Sequence, residues 1–223
     1  MQTLPGPSRL EPRVLGGAAL AAVIFFALVT GAVQVLRGDL DWLRAPLSFY
    51  LLGNYGGLVR VAYFGLGAAL ALLGAGYYRA LAVPARSGAP LLLFVVAGLA
   101  LGVTASTDSG PDTDRASLAA LVHGLAASAA FLCITVAMML QAVRLRRDSE
   151  WRRRFGVAFP LAAVSFIAMW VHALWRDAPR GLTQKLVIVL ILAWLVLMAW
   201  WLQRHRRDAR HAVTAAVPTE SLP

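Results

Sequence analysis

"TASTDSGPDTDRASLAALVHGLAAS", residues 104–128, decides how the chain is read. An apolar run ends at three aspartates, Asp108, Asp112 and Asp114, and a second apolar run resumes with His123 inside it. A histidine nine residues past the last aspartate, in a chain that is 59% hydrophobic, has a meaning only once the surrounding solvent is known. The rest of the chain supplies that solvent. Charged residues make up 14%, against roughly 25% in soluble domains. The apolar residues come in blocks with no period-two alternation, which excludes strands. Blocks of about 20 apolar residues match the roughly 30 Å hydrocarbon core that a spanning helix must cross. Lipid leaves backbone groups no partner outside the segment, so each block is expected to be a helix.

The expected fold is therefore all-α: an integral membrane bundle of six transmembrane helices with both termini cytoplasmic. The spans are placed at about 14–36, 57–81, 90–106, 117–142, 156–175 and 181–202, with boundaries marked by Arg37-Gly38, Pro90, Asp114, and Pro179 before Gly181. Residues 1–13 form an N-terminal segment, 14–203 the membrane domain, and 204–223 a basic and then polar tail. The first apolar block exceeds the 7–15 residues of a signal-peptide core, so it is read as a retained span. The lone Cys133 lies inside a span, which excludes a disulfide framework and a cysteine metal site.

Charge placement sets the expected orientation. The net charge is +10, but the basic residues cluster between apolar blocks, which points to a membrane surface and away from nucleic acid. With a cytoplasmic N-terminus, 14 of the 21 basic residues fall inside the cell. "RLRRDSEWRRRF", residues 144–155, is the strongest anchor. Its Arg144, Arg146, Arg147, Arg152, Arg153 and Arg154 are expected to lie on anionic lipid headgroups at the cytoplasmic face. The arginine- and alanine-rich composition, with Lys185 as the only lysine, suggests a bacterial plasma (inner) membrane protein. "GLALG" from Gly98 to Gly102, with Gly65, Ala69 and Gly76, offers small residues for close helix packing.

Polar residues at membrane depth then become informative, and they gather toward the extracytoplasmic side. His123 sits about 13 Å along the helix from Asp114 at 1.5 Å per residue. His172 lies near the outer end of span five, and Gln184 and Lys185 open span six. Asp108 closes span three, and Ser48, Tyr50, Asn54, Tyr55 and Arg60 precede span two. The inner halves look nearly featureless. Each residue also has a structural reading: Asp114 and Ser117 as caps of span four, Lys185 as a snorkelling anchor, His172 as an interfacial residue, and His123 as hydrogen-bonded packing.

The segments "PLSFYLLGNYGGLVRVAYFGLGA", "TASTDSGPDTDRASLAALVHGLAASAAF" and "GLTQK" resemble the bacterial and archaeal membrane family known as domain of unknown function 998. The resemblance spans roughly residues 14–203 and implies a six-span protein. It singles out Ser48, Asp108, His123, and Gly181 with Gln184 and Lys185, and it implies no reaction. Where the family often has phenylalanine-proline before the aspartate, this chain has "TASTD", so the turn around Asp108 is expected to differ.

The favoured expectation is a non-enzymatic bundle whose outer polar pocket, including Asn54, His172, Gln184 and Lys185, binds a lipid headgroup, a small solute or a membrane partner, with no cofactor. The alternative is a hydrolase or transferase at the outer leaflet, with Ser48 as nucleophile, His123 as base and Asp108 as its orienting carboxylate. No glycine-flanked nucleophile elbow is present. Weaker variants place zinc on His123, His172 and Asp108, or haem between His123 and His172. A proton-coupled transporter is a further class, but the inner halves lack a matching polar path.

Overall fold

The structure, a computed structural model, describes residues 11–107, 117–175 and 177–205. Its helices are α1 (Pro12–Leu36), α2 (Gly56–Ala80), α3 (Gly88–Ser106), α4 (Leu118–Arg146), α5 (Phe155–Leu174) and α6 (Arg180–Gln203), joined in part by short 3₁₀ turns at Leu47–Leu51, Val83–Ala85 and Arg152–Arg154. All six are long and apolar enough to cross a membrane. They agree with the expected spans to within a few residues. The largest difference is α4, which runs past 142 to Arg146 because nothing in "QAVRLR" breaks a helix. Ser117 caps α4 as expected, its hydroxyl accepting from Ala120 N at 3.2 Å. Ser87 does the same for α3, accepting from Ala89 N at 3.3 Å.

Each helix packs on its neighbours in the chain, and α6 closes onto α1, so the six make a ring in sequence order. Contacts across the ring, α2 with α6 and α4 with α6, are sparse. The first turn of α1 meets the last turn of α6: a Cβ on Gly16 would lie 2.6 Å from Gln203 N. Nearby, Tyr77 Oη donates to the Met198 carbonyl at 2.9 Å, which ties α2 to α6 at the same end.

The connection at that end carries buried polar and aromatic side chains. Trp151 is wholly buried and packs edge-on to Tyr77, with ring centroids 5.0 Å apart. The Arg154 guanidinium lies 4.2 Å over the Trp151 ring, a cation–π contact that shields the indole from below. Asp148, also buried, accepts from Ala82 N at 2.8 Å and from Glu150 N at 3.0 Å. The arginine-rich connection is thus plugged into the bundle by Asp148 and Trp151. Arg146, Arg147, Arg152 and Arg153 remain exposed around that plug. This is called the basic end below.

At the α2–α3 crossing the two backbones meet directly. A Cβ on Gly67 would sit 2.8 Å from the Gly98 carbonyl oxygen, and one on Gly98 would sit 2.6 Å from that of Gly67. Both obstacles are backbone, so neither can move aside. Of the expected small residues, Gly98 fills this role. Gly65 faces open space, and the actual partner, Gly67, is two residues away. Replacing Gly67 by leucine is expected to destabilise the bundle by about 1–3 kcal/mol or more, as overpacking does, while Gly65→Leu leaves it near wild type. Thermal melting in detergent checks the pair, and equal losses would contradict the crossing.

Candidate functional site

The end opposite the basic one is built by the α1–α2 connection folding over the start of α6. Gly181 allows this, because a Cβ there would lie 2.5 Å from the Ala45 carbonyl oxygen. Leu182 N donates to the Leu43 carbonyl at 2.8 Å. Gln184 Oε1 accepts from Leu47 N at 2.7 Å, and Lys185 Nζ donates to the Trp42 carbonyl. The Lys185 ammonium also faces the Trp42 and Tyr50 rings at 5.7 and 5.4 Å. It is therefore held as a local anchor.

A second brace fixes the rest of the connection. Arg37 Nη1 donates to the Leu52 carbonyl at 2.6 Å, and its other donors reach both Asp39 oxygens at 2.7 Å. That side-chain hydrogen bonding holds the Asp39 carboxyl below the usual carboxylate range. Gly53 and Tyr55 take left-handed backbone angles, with φ of 71° and 67°. For a bulky residue such as Tyr55 this conformation is uncommon. Sequence reasoning treated Arg37 only as a boundary; its guanidinium is the bracket on which the connection folds.

Under this cover lies a cavity of about 60 Å³. Ser48, Tyr63, Thr104, His123 and Gln184 bring polar groups to it, and the rest of its wall is apolar, including Phe26, Leu66, Phe131, Ile134 and Ile191. The α4 contributors His123, Ala127, Ala130, Phe131 and Ile134 recur at helical spacing on one face, opposite Gln184, Ile188, Ile191 and Leu192 of α6. No α5 residue reaches it. Among the described residues no Asp, Glu, Lys or Arg lines the cavity.

His123 is the most constrained of these groups. It is 5% exposed, and its Nδ1 lies 3.1 Å from the Thr107 carbonyl oxygen and 3.3 Å from Thr107 Oγ1. A carbonyl can only accept. The proton therefore sits on Nδ1, and Nε2 is an acceptor with no partner among the described residues. The expected tie to Asp108 falls outside the described residues, as do Asp112 and Asp114; the observed tie is to the adjacent Thr107. Ser48 Oγ and Gln184 Nε2 likewise have no partner among the described residues. The cavity thus presents a hydroxyl, an amide donor and an imidazole acceptor in one small volume.

Two further expected residues lie elsewhere. Asn54 is exposed at the rim, where its carbonyl accepts from Arg37 Nη1 at 3.4 Å. His172 does not line the cavity; its Nδ1 is 2.7 Å from Thr183 Oγ1 in the α5–α6 groove. The His123–His172 pair required by the zinc and haem readings is not brought together in the cavity. No group of three metal-ligating side chains occurs among the described residues.

Six membrane-length helices arranged as a ring define a multi-pass membrane protein. The family profile described as "Protein of unknown function (DUF998)" matches residues 20–201, so the chain belongs to that family. No curated protein and no solved structure matches the chain. The tautomer assigned to His123 is open to a direct check. ¹⁵N-histidine spectra of the detergent-solubilised protein, assigned with His123→Phe, are expected to show the proton on Nδ1. An Nε2–H signal would contradict the Thr107 contact.

Proposed function

We propose that this protein binds the uncharged, hydrogen-bonding end of a small solute or amphiphile in its central cavity, at the extracytoplasmic side of a bacterial plasma membrane. The observation that carries the reading is the convergence of Ser48, His123 and Gln184 on one cavity. Each offers a hydrogen-bonding group that no described neighbour satisfies. An occupant that completes these hydrogen bonds inside a mostly apolar wall is favoured over one that leaves them open. The described lining, hydrogen-bonding groups set in an apolar wall, suits a neutral partner. The polar groups suit the hydroxyl of an alcohol or a primary amide, with the apolar wall taking its aliphatic part.

The orientation rests on the exposed arginines Arg146, Arg147, Arg152 and Arg153 at the basic end. Basic residues favour the cytoplasmic face and the anionic lipids there. Both termini then lie in the cytoplasm, and the cavity opens outward. A reporter enzyme fused after residue 223 is expected to be active only in the form that works inside the cell; the reverse would invert this topology.

Ligand binding is checked by thermal shift of the purified protein against a panel of short- and medium-chain alcohols and primary amides. At 100 times its Kd a ligand adds about 2.7 kcal/mol, and a chain of this size gains roughly 2–4 °C per kcal/mol. The shift should vanish in His123→Phe and Ser48→Ala, while Asn54→Ala keeps it. A panel that moves nothing, or moves all variants alike, would sink the reading.

A second reading is supported by one observation. The Nδ1 anchor on Thr107 leaves the His123 Nε2 lone pair in the same cavity as the Ser48 hydroxyl; no hydrogen bond joins the two among the described residues, so a bridging water would carry the proton between them. A hydrolase or transferase would then use Ser48 as nucleophile, with the Thr107 carbonyl taking the orienting place that the sequence suggested for Asp108. Covalent labelling of Ser48 by a serine-directed phosphonate, lost in His123→Phe, would favour it over simple binding.

A further inference from the structure

The α5–α6 face carries a second polar group set at membrane depth, separate from the cavity. His172, three residues from the start of the α5–α6 turn, and Thr183, in the first turn of α6, are joined at 2.7 Å. Thr183 Oγ1 also lies 3.2 Å from the Pro179 carbonyl and 3.3 Å from that of Arg180. Arg180 is exposed and reaches back to donate to the His172 carbonyl at 3.4 Å. It forms no ion pair among the described residues. Below these groups runs a groove of about 320 Å³ whose other walls are apolar, Val164, Ile167, Val171 and Leu186 among them, with Trp175 at its upper edge. A volume of this size falls in the range of small-molecule sites, about 300–1,000 Å³.

This face is polar for one turn, with Arg180 and Asp177 both exposed there, then apolar toward the middle of the membrane. A phospholipid has the complementary profile. From these observations we infer that the groove holds one phospholipid of the leaflet at the cavity end, with its phosphate on Arg180 and the His172–Thr183 pair and an acyl chain along α5 and α6. Arg180 supplies the charge-assisted hydrogen bond that an unpaired surface guanidinium offers to phosphate. The Thr183 hydroxyl has one proton, given either to the Pro179 carbonyl or to His172 Nδ1; in the second arrangement the imidazole proton is on Nε2 and is available to a phosphate oxygen. The exposed Trp170 and Trp175 stand at the interfacial level that tryptophan favours. The inference does not depend on what occupies the central cavity.

Native mass spectrometry of the full chain, released from vesicles of equal phosphatidylglycerol and phosphatidylcholine into mild detergent, tests it. Wild type is expected to retain one phospholipid, enriched in phosphatidylglycerol. Arg180→Gln should lower retention about tenfold, the size of one lost hydrogen bond to a charged group. Val171→Trp, which fills the groove and leaves the polar groups intact, should do the same by excluding the chain. Arg44→Gln, an exposed arginine at the same end of the bundle, should change nothing. Millimolar glycerol phosphate should fail to displace the lipid, because it lacks the chain. Equal retention in wild type and both groove variants, a dimer mass in place of the lipid adduct, or release by glycerol phosphate alone would overturn the inference. If Arg180→Gln does not fold, Val171→Trp decides.

Discussion

Hydrocarbon offers a polar atom no partner, and this constraint governs how nearly every polar side chain in the bundle is used. Thr30, Thr104, Ser128, Thr135 and Ser165 all donate to the carbonyl four residues back in their own helix. Such hydroxyls are neutralised locally and say little about neighbours. The exceptions are the side chains too long or too rigid for that solution. Tyr77 reaches Met198 and Trp194 Nε1 reaches the Ala158 carbonyl, each bridging two helices. His123 bridges α4 to the end of α3 with one nitrogen and leaves the other facing a cavity. The same rule that makes the fold helical therefore separates packing residues from residues with unspent hydrogen-bonding capacity.

Much of this was legible in the sequence because bilayer thickness imposes a length, and length survives without any tertiary knowledge. The six spans, the Ser117 cap, the depth of His123 and the placement of Ser48 and Gln184 near it all follow from where apolar runs begin and stop. What was not legible depended on which face of a helix turns inward. Gly65 and Gly67 are two residues apart in one small-residue run, and only three-dimensional register separates the free one from the one against Gly98. His172 and His123 share a depth but point into different spaces, a groove and a cavity. Asp148 and Trp151 were hidden inside an arginine-rich loop whose charge dominated its reading, although an aspartate and a tryptophan amid six arginines were the available signal.

The two ends of the ring solve opposite problems. At the basic end, Trp151, Tyr77 and Arg154 fill the interior and the Asp148 carboxylate satisfies amides from two connections, so the end is closed and its spare charge faces outward. At the other end the α1–α2 connection makes the cover, held by Arg37 and Gln184, and leaves polar groups facing inward. The cavity lies under that cover, and the plug lies at the far end.

The ring's sequential order bears on how the protein is made. Because every helix except the first packs on the one synthesised just before it, each new segment finds its docking surface already present as it leaves the translation machinery. The early surfaces left waiting are those that α6 completes: the flank of α1, Tyr77 of α2 and the α1–α2 connection. Maturation therefore ends with a single long-range event, the meeting of the last turn with the first, and the glycine at position 16 is where that seam shuts.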